Sequence, residues 1–280
     1  MLDMHFHSTF SDWKNSADEI LSKARDIWLS YAFLTDHDRV SHHFVEKSKE
    51  YWIQTTYSTE ISASNDKRDF SLHITYYAKQ ISNALENELN NTIESKIKLI
   101  QLQISRFKEM WFNINIWSFY KFCYKHWRKK ENINKYDLAR YLYEFSENIE
   151  LVKKINNWVF LDLESFYLEF LKKDGKYFSW YWVIVPDYEV KISQIKKYAQ
   201  IDSAIVSLAH PNFTFKSWID EFIKNIDYYI ENWWINAIEI NTKATKQMVE
   251  TIIDLSVKKG LYITFWSDNH GLWTTDRKHW

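Results

Sequence analysis

Short β-rich runs alternate with helical patterns along most of this chain, and that alternation restricts the fold more than any other feature. The runs Leu2–His7, Tyr31–Asp36, Ile53–Glu60, Phe70–Tyr77, Ala204–His210, Ile235–Asn241 and Leu261–Ser267 read as strands. Helical periodicity covers Ser16–Trp28, Val40–Tyr51, much of Ile81–Met110, Tyr188–Gln200, Ile219–Asn232 and Lys243–Lys259. Strands separated by helices pair in parallel, so the expected class is α/β, as a layer or a barrel. Residues 81–185 differ. They are mostly helical in pattern, rich in lysine and aromatic residues, and carry no cluster of ligand-type side chains. They read as a helical insertion within one catalytic domain spanning 1–280.

The chemistry sits where the strands end. The first run closes on His5-Phe6-His7, and the two-residue period of a strand puts both imidazoles on one face. Asp12 follows in the next loop, and the second run closes on Thr35-Asp36-His37-Asp38. Glu60 closes the third, His73 lies in the fourth, Ala209-His210-Pro211 closes the fifth, and the last runs into Ser267-Asp268-Asn269-His270. In a β/α barrel such ends converge on one face, where active sites are built. Imidazoles and carboxylates are the donors that suit Zn²⁺, Mn²⁺ and Fe²⁺. Six clusters in phase with six strands are not explained by packing, because buried charges without partners are too costly.

The order His-x-His…Ser-Asp, Thr-Asp-His-Asp, Glu-Ile, His, Ala-His-Pro, Ser-Asp-x-His resembles the polymerase and histidinol phosphatase (PHP) superfamily. The match covers residues 2–77 and about 181–273, and is similar to the stand-alone phosphoesterases acting on nucleoside 3′,5′-bisphosphates and short RNA 5′ ends. The resemblance implies a distorted TIM-like barrel of about seven strands with a helical insertion, and a site for two or three divalent ions (Mn²⁺, Fe²⁺ or Zn²⁺). It assigns His5, His7, Glu60 and Asp268 to one ion, with Glu60 bridging to a second completed by His73 and His210, and Asp12, His37 and His270 to a third. Asp36 and Asp38 would orient imidazoles by accepting their second N–H. A water acidified between the ions would attack phosphorus, and His210 or His37 would protonate the leaving alcohol, which makes Asp36, His37 and His210 the catalytic candidates. Lys14 and Arg140 are the candidate substrate contacts. Arg140 ends Asn134-Lys135-Tyr136-Asp137-Leu138-Ala139-Arg140, which resembles an Arg-Pro-His-Ile-Ala-Arg segment of those enzymes, with Asp137 in place of the histidine.

The implied partner is a small phosphorylated substrate, a nucleotide or short RNA. With 36 basic and 37 acidic residues, no global charge argues for a DNA or membrane surface. The single cysteine, Cys123, excludes an internal disulfide and suits a cytoplasmic protein, and no leader or membrane span is evident. Two other readings stand beside the first. A histidinol-phosphate phosphatase would use the same cluster, and a PHP-like binding or structural protein would lack catalysis.

Glycine is nearly missing, with 3 against 15 tryptophans in 280 residues. Ordinary domains hold about 7% glycine. Trp13, Trp28, Trp52 and Trp266 stand before or within the motif loops, and Trp180, Trp182, Trp233, Trp234 and Trp273 stand where turns are expected. Glycine permits positive φ and close backbone approach, and an indole permits neither. UGA is glycine in some bacterial codes and tryptophan in another, so these positions read as glycines translated under the wrong code.

Overall fold

The computed structural model describes residues 2–11, 15–66, 71–126, 128–172, 175–178, 189–211, 218–241 and 244–266. The chain forms two compact units, Met1–Thr92 with Glu189–Trp280, and Ile93–Tyr188.

In the first unit the order is β1 (Leu2–Phe6), α1 (Ala17–Asp26), β2 (Tyr31–Leu34), α2 (His42–Ser48), β3 (Tyr57–Ser64) and β4 (Ser71–Ala78). Local chemistry starts α1 where it starts. Ser16 accepts the Glu19 N–H, and the Glu19 carboxylate accepts the Ser16 N–H at 2.7 Å, closing a capping box. Ala17, Ile20, Leu21 and Ala24 then form its buried stripe. That stripe packs with Phe6, Leu34, Phe44 and Ile53 into a small core over β1 and β2.

After α3 (Asn83–Glu109), which runs into the second unit, come the second unit's α4 (Ile116–Lys125), α5 (Lys135–Leu142), α6 (Ser146–Ile155) and α7 (Leu163–Phe166). These helices enclose a separate core that includes Phe107, Phe119, Leu138, Val152, Phe166 and Tyr177. The first unit resumes with β5 (Val190–Lys191), α8 (Ile192–Asp202), β6 (Ile205–Leu208), α9 (Trp218–Trp233), β7 (Ala237–Asn241), α10 (Lys246–Lys259) and β8 (Tyr262–Trp266). Among the described residues no helix is long and apolar enough to cross a membrane.

The strands form a parallel pair, β1-β2, and a six-stranded sheet in the order β5-β3-β4-β6-β7-β8. This corrects the expected seven-stranded barrel. There are eight described strands, and their ladders form no closed ring among the described residues. β3 and β4 run antiparallel, and so do β4 and β6, while β6, β7 and β8 are parallel. Only six residues link β3 to β4, well short of a crossover helix, so the chain must turn back. β2 nevertheless lies beside β3 through isolated bridges at Tyr31–Gln54 and His37–Glu60.

Candidate metal centre

The site is built around Glu60, in the middle of β3 rather than at its end. The continuation of β2 fixes its backbone: Asp38 N–H donates to the Glu60 carbonyl at 2.8 Å, and Glu60 N–H donates to the Asp36 carbonyl at 3.2 Å. His73 reaches Glu60 from the neighbouring strand. Because β4 runs antiparallel, its beginning lies level with the ends of the parallel strands. Glu60 pairs with Thr75 and Ser62 with His73, so Glu60 and His73 share one face on a diagonal.

Five imidazoles close on this one carboxylate. Nε2 of His5 and Nε2 of His7 each lie 3.3 Å from Oε2, with His37 Nδ1 at 3.1 Å. His73 Nδ1 and His210 Nε2 each lie 3.0 Å from Oε1. His5 comes from β1, His7 and His37 from just past β1 and β2, His73 from β4, and His210 from just past β6. His5, His7 and Glu60 are almost fully buried, whereas His73 is 38% exposed, with His37 and His210 between these limits. The cluster therefore has a closed floor and an open side.

Its electrostatics couple the imidazoles to the buried acid. Burial disfavours the charged form of Glu60, but His37, His73 and His5 outweigh it and hold the carboxyl well below its usual range. Burial likewise disfavours protonated His5, and Glu239 and Glu60 beside it reverse that, placing its pKa well above the ordinary histidine value. His5, His7 and Glu60 present donor atoms within one coordination sphere, as do His37, Glu60 and His73. Nitrogen and carboxylate donors crowded on both oxygens of one acid fit divalent transition metals.

Both aspartates accept from serines. Asp36 is fully buried and accepts from Ser8 N–H at 2.7 Å, Ser8 Oγ at 2.6 Å and Ser11 Oγ at 2.7 Å. Burial raises its pKa, opposed by His7 and these serines. Ser11 Oγ also lies 3.4 Å from His7 Nδ1, so Asp36 braces the loop after β1 and reaches that imidazole through a serine. Asp38, at φ 51°, accepts from Ser62 N–H at 2.7 Å and Ser62 Oγ at 2.8 Å, which ties the β2 loop to β3. His37, given to a third ion by the resemblance, lies in the same cluster as the others. Asp12, Lys14, Asp268 and His270 lie outside the described residues.

Arg140 is in α5 of the second unit, its guanidinium 5.9 Å from the centre of the Phe122 ring. Asp137 opens that helix as the third residue of a capping box with Asn134, and burial raises its pKa. Cys123 is buried, as its aromatic surroundings suggest, with its thiol pushed above the usual range by burial. His42 and His43 are surface residues engaged with Glu86 and Asp18.

One participant is absent from the sequence motifs. Glu239, in β7, is buried and lies against His5 and His210. A lone acid in the apolar run Ala237-Ile238-Glu239-Ile240 was the available signal, since a buried carboxylate needs a partner.

No family model matches the chain, and no curated protein matches it. Solved structures do. A protein from Bifidobacterium adolescentis provisionally designated a metal-dependent phosphoesterase superposes with a TM-score of 0.66 at 16% identity, over 98% of this chain and 89% of that one. An amidohydrolase from Chromobacterium violaceum, solved with sulfate and no metal, superposes with a TM-score of 0.68 at 17% identity, over 96% and 87%. The chain shares its fold with these two proteins.

Proposed function

We propose that the protein is a metal-dependent phosphoesterase that hydrolyses phosphate esters of nucleotides, namely nucleoside 3′,5′-bisphosphates or short RNA 5′ ends. The observation that carries this reading is the convergence of His5, His7, His37, His73 and His210 on both oxygens of buried Glu60. The fold shared with a protein designated a metal-dependent phosphoesterase supports it. Two or three ions of the Mn²⁺, Fe²⁺ or Zn²⁺ class, when bound, would acidify a water and neutralise phosphate charge.

The side chains divide the remaining work by exposure. His5 and His7 form the buried floor, and Glu60 offers one oxygen to each half of the cluster. His37, His73 and His210 line the open side, where an ester can enter. In this reading His37 or His210, on that side, would hand a proton to the leaving oxygen.

The fold likeness to an amidohydrolase favours one second reading, amide hydrolysis at the same centre. A substrate panel decides. Protein purified without chelator and supplied with Mn²⁺ is expected to release phosphate from nucleoside 3′,5′-bisphosphates or to trim 5′-phosphorylated RNA from its 5′ end. Turnover confined to histidinol phosphate would move the substrate assignment. Amide hydrolysis without phosphate release would replace phosphoesterase chemistry, and less than one equivalent of metal with no activity would overturn both.

A further inference from the structure

Resting on the metal-centre reading above, we infer that Glu239 is the positioning residue that couples the two halves of the site. Its side chain is fully buried, and each of its oxygens has a separate task. Oε2 lies 2.9 Å from His5 Nδ1, and Oε1 accepts the His210 backbone N–H at 2.7 Å. His5 faces one oxygen of Glu60 and His210 faces the other. One carboxylate on β7 thus braces a donor on each side of the bridging acid. A proton on His5 Nδ1 directed at Glu239 leaves Nε2 as a lone pair aimed into the site, the form that binds a metal. The bond to His210 acts on the backbone: His210 sits at φ 34°, a conformation that persists only where its surroundings hold it.

The amide of Glu239→Gln keeps the shape and offers one oxygen for two donors. If that oxygen takes the His210 N–H, its NH₂ meets His5 Nδ1 and favours the tautomer with a proton on Nε2, which cannot coordinate. If it is turned the other way, two N–H groups oppose each other. Mn²⁺ titration by calorimetry should show an affinity 10- to 100-fold weaker in E239Q than in wild type, the range for a partner that orients a ligand. Equal affinities would overturn the positioning role. Wild-type protein that takes up no Mn²⁺ would overturn the metal reading itself. An independent measurement needs no variant. Nitrogen-15 spectra of metal-free protein at alkaline pH should show His5 with its proton on Nδ1, and a proton on Nε2 would overturn the inference.

A different observation carries a second inference, that Trp28, Trp52, Trp111, Trp158 and Trp234 are glycines in the protein its source organism makes. All five have positive φ, from 58° to 70°. Three close helical segments with one bond pattern. Trp28 N–H donates to the Arg25 carbonyl and Leu29 N–H to Ala24. The same pairs recur as Trp52 to Lys49 with Ile53 to Ser48, and as Trp111 to Lys108 with Phe112 to Phe107. This is the Schellman arrangement, whose left-handed residue is usually glycine. The chain supplies its own control: Gly260, at φ 67°, ends α10 with Leu261 N–H donating to Ser256.

Trp234 packs partly against the core, but the other four rings face solvent. Trp28, Trp52, Trp111 and Trp158 are 84%, 91%, 89% and 70% exposed, while the residues after the first three, Leu29, Ile53 and Phe112, are buried. Trp233 is the exception to the turn expectation. It ends α9, buried, with its ring stacked on Tyr229 at 4.2 Å, and nothing there asks for glycine. Peptide mass mapping of protein from the source organism should find glycine at 28, 52, 111, 158 and 234, encoded by UGA. Tryptophan in those peptides would end the inference. In recombinant protein the triple variant W28G/W52G/W111G should unfold at a higher midpoint than the tryptophan form, and a lower one would count against it.

Discussion

Glu60 and His5 show how a buried ion cluster responds to pH before any metal arrives. Glu60 titrates well below the carboxylate value of 4.5, so its stabilisation is present above that value and is lost as pH falls through the depressed one. His5 titrates well above 6.5, so its stabilisation is complete below 6.5 and is lost as pH rises through the raised value. Chelator-stripped protein should therefore lose thermal stability on the alkaline side, where His5 gives up its proton between Glu60 and Glu239. Metal-loaded protein should not, because its His5 is already neutral. Melting curves of both forms across that range test this, and coincident profiles would refute it. Metal must also displace the His5 proton, so Mn²⁺ affinity should rise with pH above neutrality. Glu60→Gln should reduce metal affinity and turnover together, on the order of 100-fold or more, because it weakens the acid shared by both halves of the cluster. Elemental analysis beside an activity assay reads both effects.

At the scale of elements, the site depends on how β4 is held. Its first residues carry His73, and farther along Tyr76 is anchored behind the sheet. Asp202, at the end of α8, accepts from Tyr76 OH at 2.7 Å, Ser82 N–H at 3.0 Å and Ser82 Oγ at 3.3 Å. That carboxylate ties β4, the approach to α3 and α8 together in a buried setting. Asp202→Ala leaves three donors without their acceptor and should destabilise the protein by about 3 kcal/mol in urea unfolding. Asp202 bonds to none of the five clustered imidazoles, so metal stoichiometry under folding conditions should be unchanged. Losing metal without losing stability would contradict this division between brace and site.

For the whole molecule, the cluster draws together segments from residue 5 to residue 210. Ions bound only by the folded chain stabilise it by mass action, about 2.7 kcal/mol for each site filled at a hundred times its dissociation constant. Removing metal with a chelator should lower the melting temperature, and adding back Mn²⁺ or Zn²⁺ should restore it together with activity. A melting temperature indifferent to both would mean that the histidines hold no ion in solution. The cores Ile61–Ile74–Val206–Ile238 and Phe119–Leu138–Phe166 belong to different units, so hydrophobic stabilisation is divided between them.

Periodicity and residue chemistry alone determined most elements and singled out the five histidines and Glu60 that crowd together. A strand's alternation and a helix's stripe are local, and His5, His7, His37, Glu60, His73 and His210 each sit in or beside an apolar run that only a strand explains. The glycine-like positions were legible for the same reason, since Trp28 and Trp52 follow helices and precede buried residues. Pairing direction was not legible. Whether β4 returns antiparallel depends on loop length and on neighbours far along the chain, and that return brought His73 to Glu60. Tertiary structure alone also set Asp36 on Ser8 and Ser11, and joined Glu239 to His5 across 234 residues. A carboxylate's role depends on which donors reach it, and those donors are assembled only when the strands pack.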